Sequence, residues 1–330
     1  MRTINVVSAT LLVITLCKNS CQKIKDDVIE RLPYPSLAEQ RSILSTKTTV
    51  IPVRVLDSLQ IINDLIYLAS DSCGGRKPGT TGHARVVELI LSRMRLAGVD
   101  SFSNALKQNF TGFEINGTML GKNVIGWIKG KTHSEKYIVI SAHYDHLGKS
   151  INGATYYGAD DNASGVACML ALAKFFKQDP HPYSLIFVAL DREETGLEGA
   201  YNFINEITRT ITIDNIKFNL NLDMIARSDH NEIFACGIKH YPAFKFVIDQ
   251  TQNRTNVKLL MGHDTGNYWG DWTHQGDHFA FHQKNIPFIY LGVEDHPDYH
   301  ATTDTYDKIN FSNYIENCNM AALMIQMLTP

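Results

Sequence analysis

Two rhythms of apolar and polar residues run along this chain. Near-continuous apolar runs occur at NVIGWIKG (123–130), KYIVIS (136–141), SLIFVAL (184–190), EIFACGI (232–238) and PFIYLGV (287–293), and FNLNL (218–222) alternates apolar residues with Asn. Short runs of this kind, rich in β-branched and aromatic residues, predict strands. Between them, apolar positions recur every three to four residues over 55–69, 83–96, 163–176, 197–207, 242–253 and 313–328, which predicts helices. Gly98 follows the second of these, a place where a helix end favours a residue without a side chain. Strands that lack polar alternation are buried on both faces, as happens when helices cover both sides of a sheet. The expected fold is an α/β three-layer sandwich: a mostly parallel, mixed central sheet flanked by helices.

The N-terminal pattern is different. Arg2 precedes an apolar run from Asn5 to Leu16, followed by polar residues 18–20. The run is shorter than the ~20 residues a membrane span needs, and it fits the core of a secretory signal. Residues 1–20 are therefore expected to be a signal peptide. Cys21 directly after it is a candidate for lipid attachment of the lipoprotein type, although Lys18 departs from the usual bacterial pattern. The alternative is a cleaved signal with Cys21 an ordinary residue. Either reading places the protein outside the cytoplasm: secreted, periplasmic or lipid-anchored. Residues 21–50, polar with ProTyrPro at 33–35, are expected to be a linker or N-terminal extension, and 51–330 a single domain.

Composition narrows the function classes. Of 330 residues 44% are hydrophobic and 20% charged, which excludes a disordered or collagen-like chain. Lys and Arg number 31 against 34 Asp and Glu, so no basic excess points to nucleic acid. Six cysteines are too few for a disulfide scaffold at this length. Cys73, Cys168, Cys236 and Cys318 lack the spacing of a thiolate zinc site, and their pairing is open. Cys168 lies inside an apolar helical pattern and is expected to be a buried thiol.

The chemistry gathers where the predicted strands end. His143, Asp145 and His146 follow KYIVIS; Glu193 and Glu194 follow SLIFVAL; Asp223 follows FNLNL; His300 lies beyond PFIYLGV. Asp160 and Asp161 precede a predicted helix in GADDNASG (158–165). In open α/β sheets ligands bind beyond the carboxyl ends of the strands. Several carboxylates in one crevice repel one another, and a divalent cation removes the conflict. Imidazole with carboxylate suits zinc. Two histidines and three or more carboxylates are too many for one tetrahedral ion but fit two ions bridged by a carboxylate and a water.

AHYDHLG (142–148), GADDNASG (158–165), DREETGLEGA (191–200), NLDMIAR (221–227) and DYHATTDT (298–305), in this order, resemble the co-catalytic di-zinc aminopeptidase family. That family includes secreted bacterial leucine-type aminopeptidases, with glutamate carboxypeptidases and glutaminyl cyclases among its relatives. The resemblance implies a zinc-peptidase fold, two zinc ions per chain, and peptide substrates cleaved at the N-terminal residue. It implies His143 and Asp223 on one ion and His300 and Glu194 on the other. Asp161 is the implied bridge, with Asp160 the competing residue. Glu193 is the implied general base, and Asp145 the residue that accepts the free N–H of His143.

Several residues have plainer readings. His146 is expected to be a local hydrogen-bonding group rather than a third histidine ligand. Asp191 is expected to be structural, Asp160 a helix cap, and Glu198 part of a helix start. His274, Asp277, His278 and His282 form a second His-rich stretch, with His274 and His282 expected at the surface or behind the site. Tyr268, Trp269 and Trp272 can shape an apolar pocket, Tyr299 can contact a reaction intermediate, and Arg227 or Lys149 can hold a substrate carboxylate. The alternatives to an aminopeptidase are a one-zinc glutaminyl cyclase, a carboxypeptidase or dipeptidase, and a non-catalytic receptor-like domain. Oligomeric state and side-chain specificity are not legible.

Overall fold

The computed structural model describes residues 56–328 apart from 103–104, 115–116, 229 and 267–269. The expected signal peptide, the Cys21 lipid site and the linker lie outside the described residues, as do Tyr268 and Trp269. Two helices open the fold. α1 (Ser58–Leu68) is capped by Asp57, whose carboxylate accepts from Gln60 N at 3.1 Å; α2 (Thr81–Leu96) is capped by Thr80. Such caps satisfy amide groups that the first helical turn leaves without partners.

The strands are β1 (Asp100–Ser101), β2 (Lys107–Glu114), β3 (Gly117–Ile128), β4 (His133–His143), β5 (Tyr183–Leu190), β6 (Ile216–Leu222), β7 (Glu232–Cys236), β8 (Lys258–Met261) and β9 (Phe288–Gly292). They form one sheet in the order β1-β3-β5-β4-β6-β9-β7-β8, with β2 paired to β3. The pairs β5–β4, β4–β6, β6–β9 and β7–β8 are parallel. The pairs made by β3, and β7–β9, are antiparallel. The sheet is thus mixed as expected, with the central quartet and the outer β7–β8 pair parallel.

The remaining helices are α3 (Gly165–Gln178), α4 (Glu198–Ile207), α5 (Lys245–Gln252), α6 (His278–His282) and α7 (Phe311–Met327). Helices α1, α2, α3 and α7 share one face of the sheet with its main hydrophobic core, and α4 and α6 cover the other. Burial follows the pleat. Ile138, Ile140 and Ala142 of β4 join Leu185, Phe187 and Ala189 of β5 in that core, while Ser141 on the opposite face accepts from Asn219 and donates to Asn221.

Every predicted helix and strand is present, with shifted ends. β3 begins at Gly117 rather than 123, because antiparallel pairing with β2 extends it beyond its apolar run. Residues 242–244 form a 3₁₀ turn ahead of α5. The four described cysteines are free and buried. Among the described residues no helix is long and apolar enough to cross a membrane.

Candidate metal centre

The four central strands β5, β4, β6 and β9 run in the same direction, so their carboxyl ends open onto one cleft. The cleft is lined by His143, Asp161, Glu193, Asp223 and His300, with Trp272, Tyr290 and Tyr299 among its aromatic walls. His143 is the last residue of β4. Its Nε2 lies 3.2 Å from Asp161 Oδ1 and 3.2 Å from Asp223 Oδ1. On the far side of Asp161, Oδ2 lies 3.1 Å from His300 Nε2, and Glu194 Oε2 lies 3.3 Å from the same nitrogen. Asp161 therefore turns one oxygen to each group. The four distances agree with the ~3.3 Å spacing of ligand atoms around a tetrahedral ion with ~2.0–2.1 Å bonds.

The donor set fits a cation better than it fits itself. Asp161 Oδ2 is buried and makes no aligned hydrogen bond, although His300 Nε2 stands 3.1 Å away. Lone pairs that converge on a shared ion are misaligned toward one another. Among the described residues, two groups could hold an ion: His143 with Asp161 and Asp223, and His146 with Asp161 and Glu194.

Buried hydrogen bonds hold these side chains in place. Arg76 is fully buried and donates to five carbonyls: Tyr144 through Nε, Leu68 and Tyr157 through Nη1, Gly158 and Asp161 through Nη2. It ties the segment after β4 to the segment carrying Asp161. Asp304 accepts from the backbone N–H groups of Asp160 and Asp161 at 3.0 and 3.1 Å. Gly158 is left-handed at φ +56, and a side chain there would strike Asp161 O, His146 and Arg76. Arg192, also left-handed at φ 62, is anchored by Glu198 at 2.6 Å, Glu114 at 2.9 Å and Phe113 O at 2.8 Å. That anchor sets the direction of Glu193 and Glu194. Met224 and His300 share the left-handed conformation, so three of the site segments carry non-glycine residues in a sparsely populated region.

Electrostatics follow from the crowding. Burial pushes the Glu193 carboxyl well above its usual range, and Asp223 and Asp277 add to this while His143 opposes it. Burial likewise raises Asp223 against the pull of His143. Burial opposes the charge on His143, but Asp223 and Glu193 outweigh it and raise the imidazole well above its usual value. For Asp161 burial is outweighed by His146, His143 and His300, which lower the carboxyl well below its usual range.

The structure thus brings together His143, Asp161, Glu194, Asp223 and His300, with Glu193 in the cleft wall. Some details differ from expectation. Asp145 meets His143 Nδ1 with its backbone carbonyl at 3.3 Å, whereas its Oδ1 is 3.8 Å away and instead accepts from Glu193 N. Asp160 does not cap α3: its carboxylate accepts from Ala226 N at 2.7 Å and meets His296 at 3.2 Å. Glu198 pairs with Arg192 in addition to starting α4. His282 is buried against Tyr241, whose hydroxyl is 2.6 Å from its Nδ1, and is not a surface residue. Arg227 is paired with Asp298 at 3.0 Å. Asp191 is buried and bonded to His83 at 2.9 Å, the structural role expected.

Residues 123–325, more than half of the chain, match the model of Peptidase family M28. A segment is 33% identical over 108 residues to aminopeptidase YwaD of Bacillus subtilis (strain 168), covering 32% of this chain and 22% of that protein. Another is 34% identical over 127 residues to the alkaline phosphatase isozyme conversion protein of Escherichia coli (strain K12), 36% of each. The chain thus spans about a fifth to a third of the length of these two relatives. The fold is similar to glutaminyl cyclase of Bacteroides thetaiotaomicron, with a TM-score of 0.69 at 19% identity over 83% of this chain and 99% of that one. It is also similar to a Zn-dependent exopeptidase from Parabacteroides distasonis ATCC 8503, with a TM-score of 0.68 at 15% identity over 83% and 99%. The family match, over residues that include two candidate ion-binding groups sharing one aspartate at the carboxyl end of the sheet, makes this chain a member of peptidase family M28.

Proposed function

We propose that this protein is a di-zinc exopeptidase that removes N-terminal residues from peptides outside the cytoplasm. The carrying observation is the shared Asp161, flanked by His143 and Asp223 on one side and by Glu194 and His300 on the other. These five residues would hold the ions, and bound zinc would polarise the scissile carbonyl and acidify a water toward a pKa of ~7. The chain's own residues supply the rest. Glu193 lines the cleft and takes the proton of the attacking water, then returns it to the leaving amine. Its backbone is held by Asp145 Oδ1 at 3.1 Å, while the Asp145 carbonyl faces His143 Nδ1 and leaves Nε2 free to ligate. Tyr299 stacks on His300 at 4.0 Å and lines the same cleft, where it limits the ring's rotation. The cleft carboxylates give a free α-amino group its counter-charge, which favours terminal over internal bonds. Location outside the cytoplasm rests on the apolar run Asn5–Leu16.

Zinc content and a cleavage profile test the reading together. Two zinc per chain with release of N-terminal residues from aminoacyl-p-nitroanilides and peptides is expected, abolished by chelation. One zinc per chain with ammonia released from N-terminal glutamine would make the protein a cyclase instead. Metal-replete protein that hydrolyses neither aminoacyl nor dipeptide substrates would overturn the enzymatic assignment.

A further inference from the structure

His146 sits in the second ion-holding group, yet its environment is unlike that of a ligand. We infer that His146 is a positioning residue for Glu194: its Nδ1–H donates to Glu194 Oε1 and leaves Oε2 alone to face the ion beside His300. This inference rests on the two-zinc reading above.

Three observations separate the roles. The Nδ1 to Glu194 Oε1 distance is 2.7 Å, a charge-assisted hydrogen bond and well short of the ~3.3 Å between two ligands of one tetrahedral zinc. The two oxygens of Glu194 are divided, Oε1 toward His146 and Oε2 toward His300 at 3.3 Å. The other ring nitrogen, Nε2 of His146, is buried and has no hydrogen-bond partner. A ligating histidine almost always donates its second N–H to a carbonyl or carboxylate, as His143 does toward Asp145. In the neutral tautomer that donates from Nδ1, the buried Nε2 without a partner is an acceptor rather than an orphaned N–H. The ring is fully buried, and the missing side chain at Gly158 leaves room for its Cδ2 edge, since a Cβ there would come within 2.6 Å of it.

The consequence concerns Glu194. A carboxylate with one oxygen engaged by His146 cannot swing to grip the ion with both. It stays monodentate, and a coordination position is left for substrate. His300, 40% exposed, comes from the open side of the site, whereas His146 comes from the buried side and sets the angle of Glu194.

The test is zinc titration of chelator-stripped protein, with bound metal read by calorimetry and elemental analysis. Wild type is expected to bind two zinc. His146→Ala is expected to keep one at wild-type affinity and to bind the other 10- to 100-fold more weakly, the usual cost of losing a partner behind a ligand. His146→Asn places an amide N–H about where Nδ1 lies and is expected to recover most of the loss. X-ray absorption of zinc-loaded wild type is expected to count two imidazoles over the two ions. Three imidazoles would make His146 a ligand and overturn the inference. Unchanged affinity of both sites in His146→Ala would overturn it too, while leaving two-zinc chemistry standing. Wild type that binds a single zinc would instead sink the two-zinc reading itself. Should His146→Ala fail to fold, His146→Asn and the imidazole count decide the matter.

Discussion

Arg76→Lys keeps a positive charge and a long side chain but exchanges five N–H donors for three. All five donors are in use, on the carbonyls of Leu68, Tyr144, Tyr157, Gly158 and Asp161, and Arg76 is fully buried. A lysine ammonium can serve three of these at most, so at least two carbonyls lose their donor. A buried polar group left without a partner costs roughly 1–3 kcal/mol, which puts the expected loss at about 2–6 kcal/mol. Against a total stability on the order of 5–15 kcal/mol this is severe without being certain to unfold the chain. The damage is local in a second sense. The five carbonyls include those of Gly158 and Asp161, so the segment carrying the Asp161 carboxylate is held less tightly and leans more on the bonds to Asp304. Urea denaturation in one zinc-containing buffer measures the first effect, and zinc uptake by elemental analysis the second. A variant whose midpoint lies within about 0.5 kcal/mol of wild type, the range of an inconsequential surface change, would refute the reasoning.

Glu193→Gln is expected to keep bound zinc while turnover falls about 10²–10⁴-fold; steady-state rates near wild type would remove Glu193 from the base role. Chelation is expected to lower thermal stability as well as activity, because ligand binding to the folded state adds about 2.7 kcal/mol at a hundred times the Kd; a melting midpoint indifferent to zinc would contradict the metal centre. Asp277 is buried with neither carboxylate oxygen hydrogen-bonded, and burial pushes it up to about 8. The folded state then holds a proton that the unfolded chain releases above about 3.8, so stability is lost as pH rises from 4 toward 8. In metal-free protein Asp277→Asn is expected to remove that slope, so equal pH dependence of wild type and variant in urea titrations would reject it. His278 and His282 are both held down to about 3 by burial, so their imidazole resonances are expected to stay neutral from pH 7 to 5 by NMR, and protonation near pH 6 would refute their burial.

Element types and the candidate metal-binding side chains were legible from the chain alone where burial left a pattern. Strands β4, β5 and β6 are buried along most of their length, so their apolar runs stand out, and the candidate ligands follow them at strand ends. Strand β2, KQNFTGFE, was not legible, because it pairs through its backbone and exposes most of its side chains. Strand β8 and helix α6 are four and five residues long, too short for a period to repeat. Within the site, residue type and position after a strand were enough to nominate His143, Asp161, Glu194, Asp223 and His300. Which oxygen or nitrogen of each residue faces which neighbour was decided only by packing. Asp145 meets His143 through its carbonyl, and His146 meets Glu194 in space that the missing side chain of Gly158 leaves open. Arg76 and Arg192 carried no periodic signal at all. Their roles depend on carbonyls and carboxylates far away in sequence, such as Asp161 for Arg76 and Glu114 for Arg192, which come within reach only once the sheet has assembled.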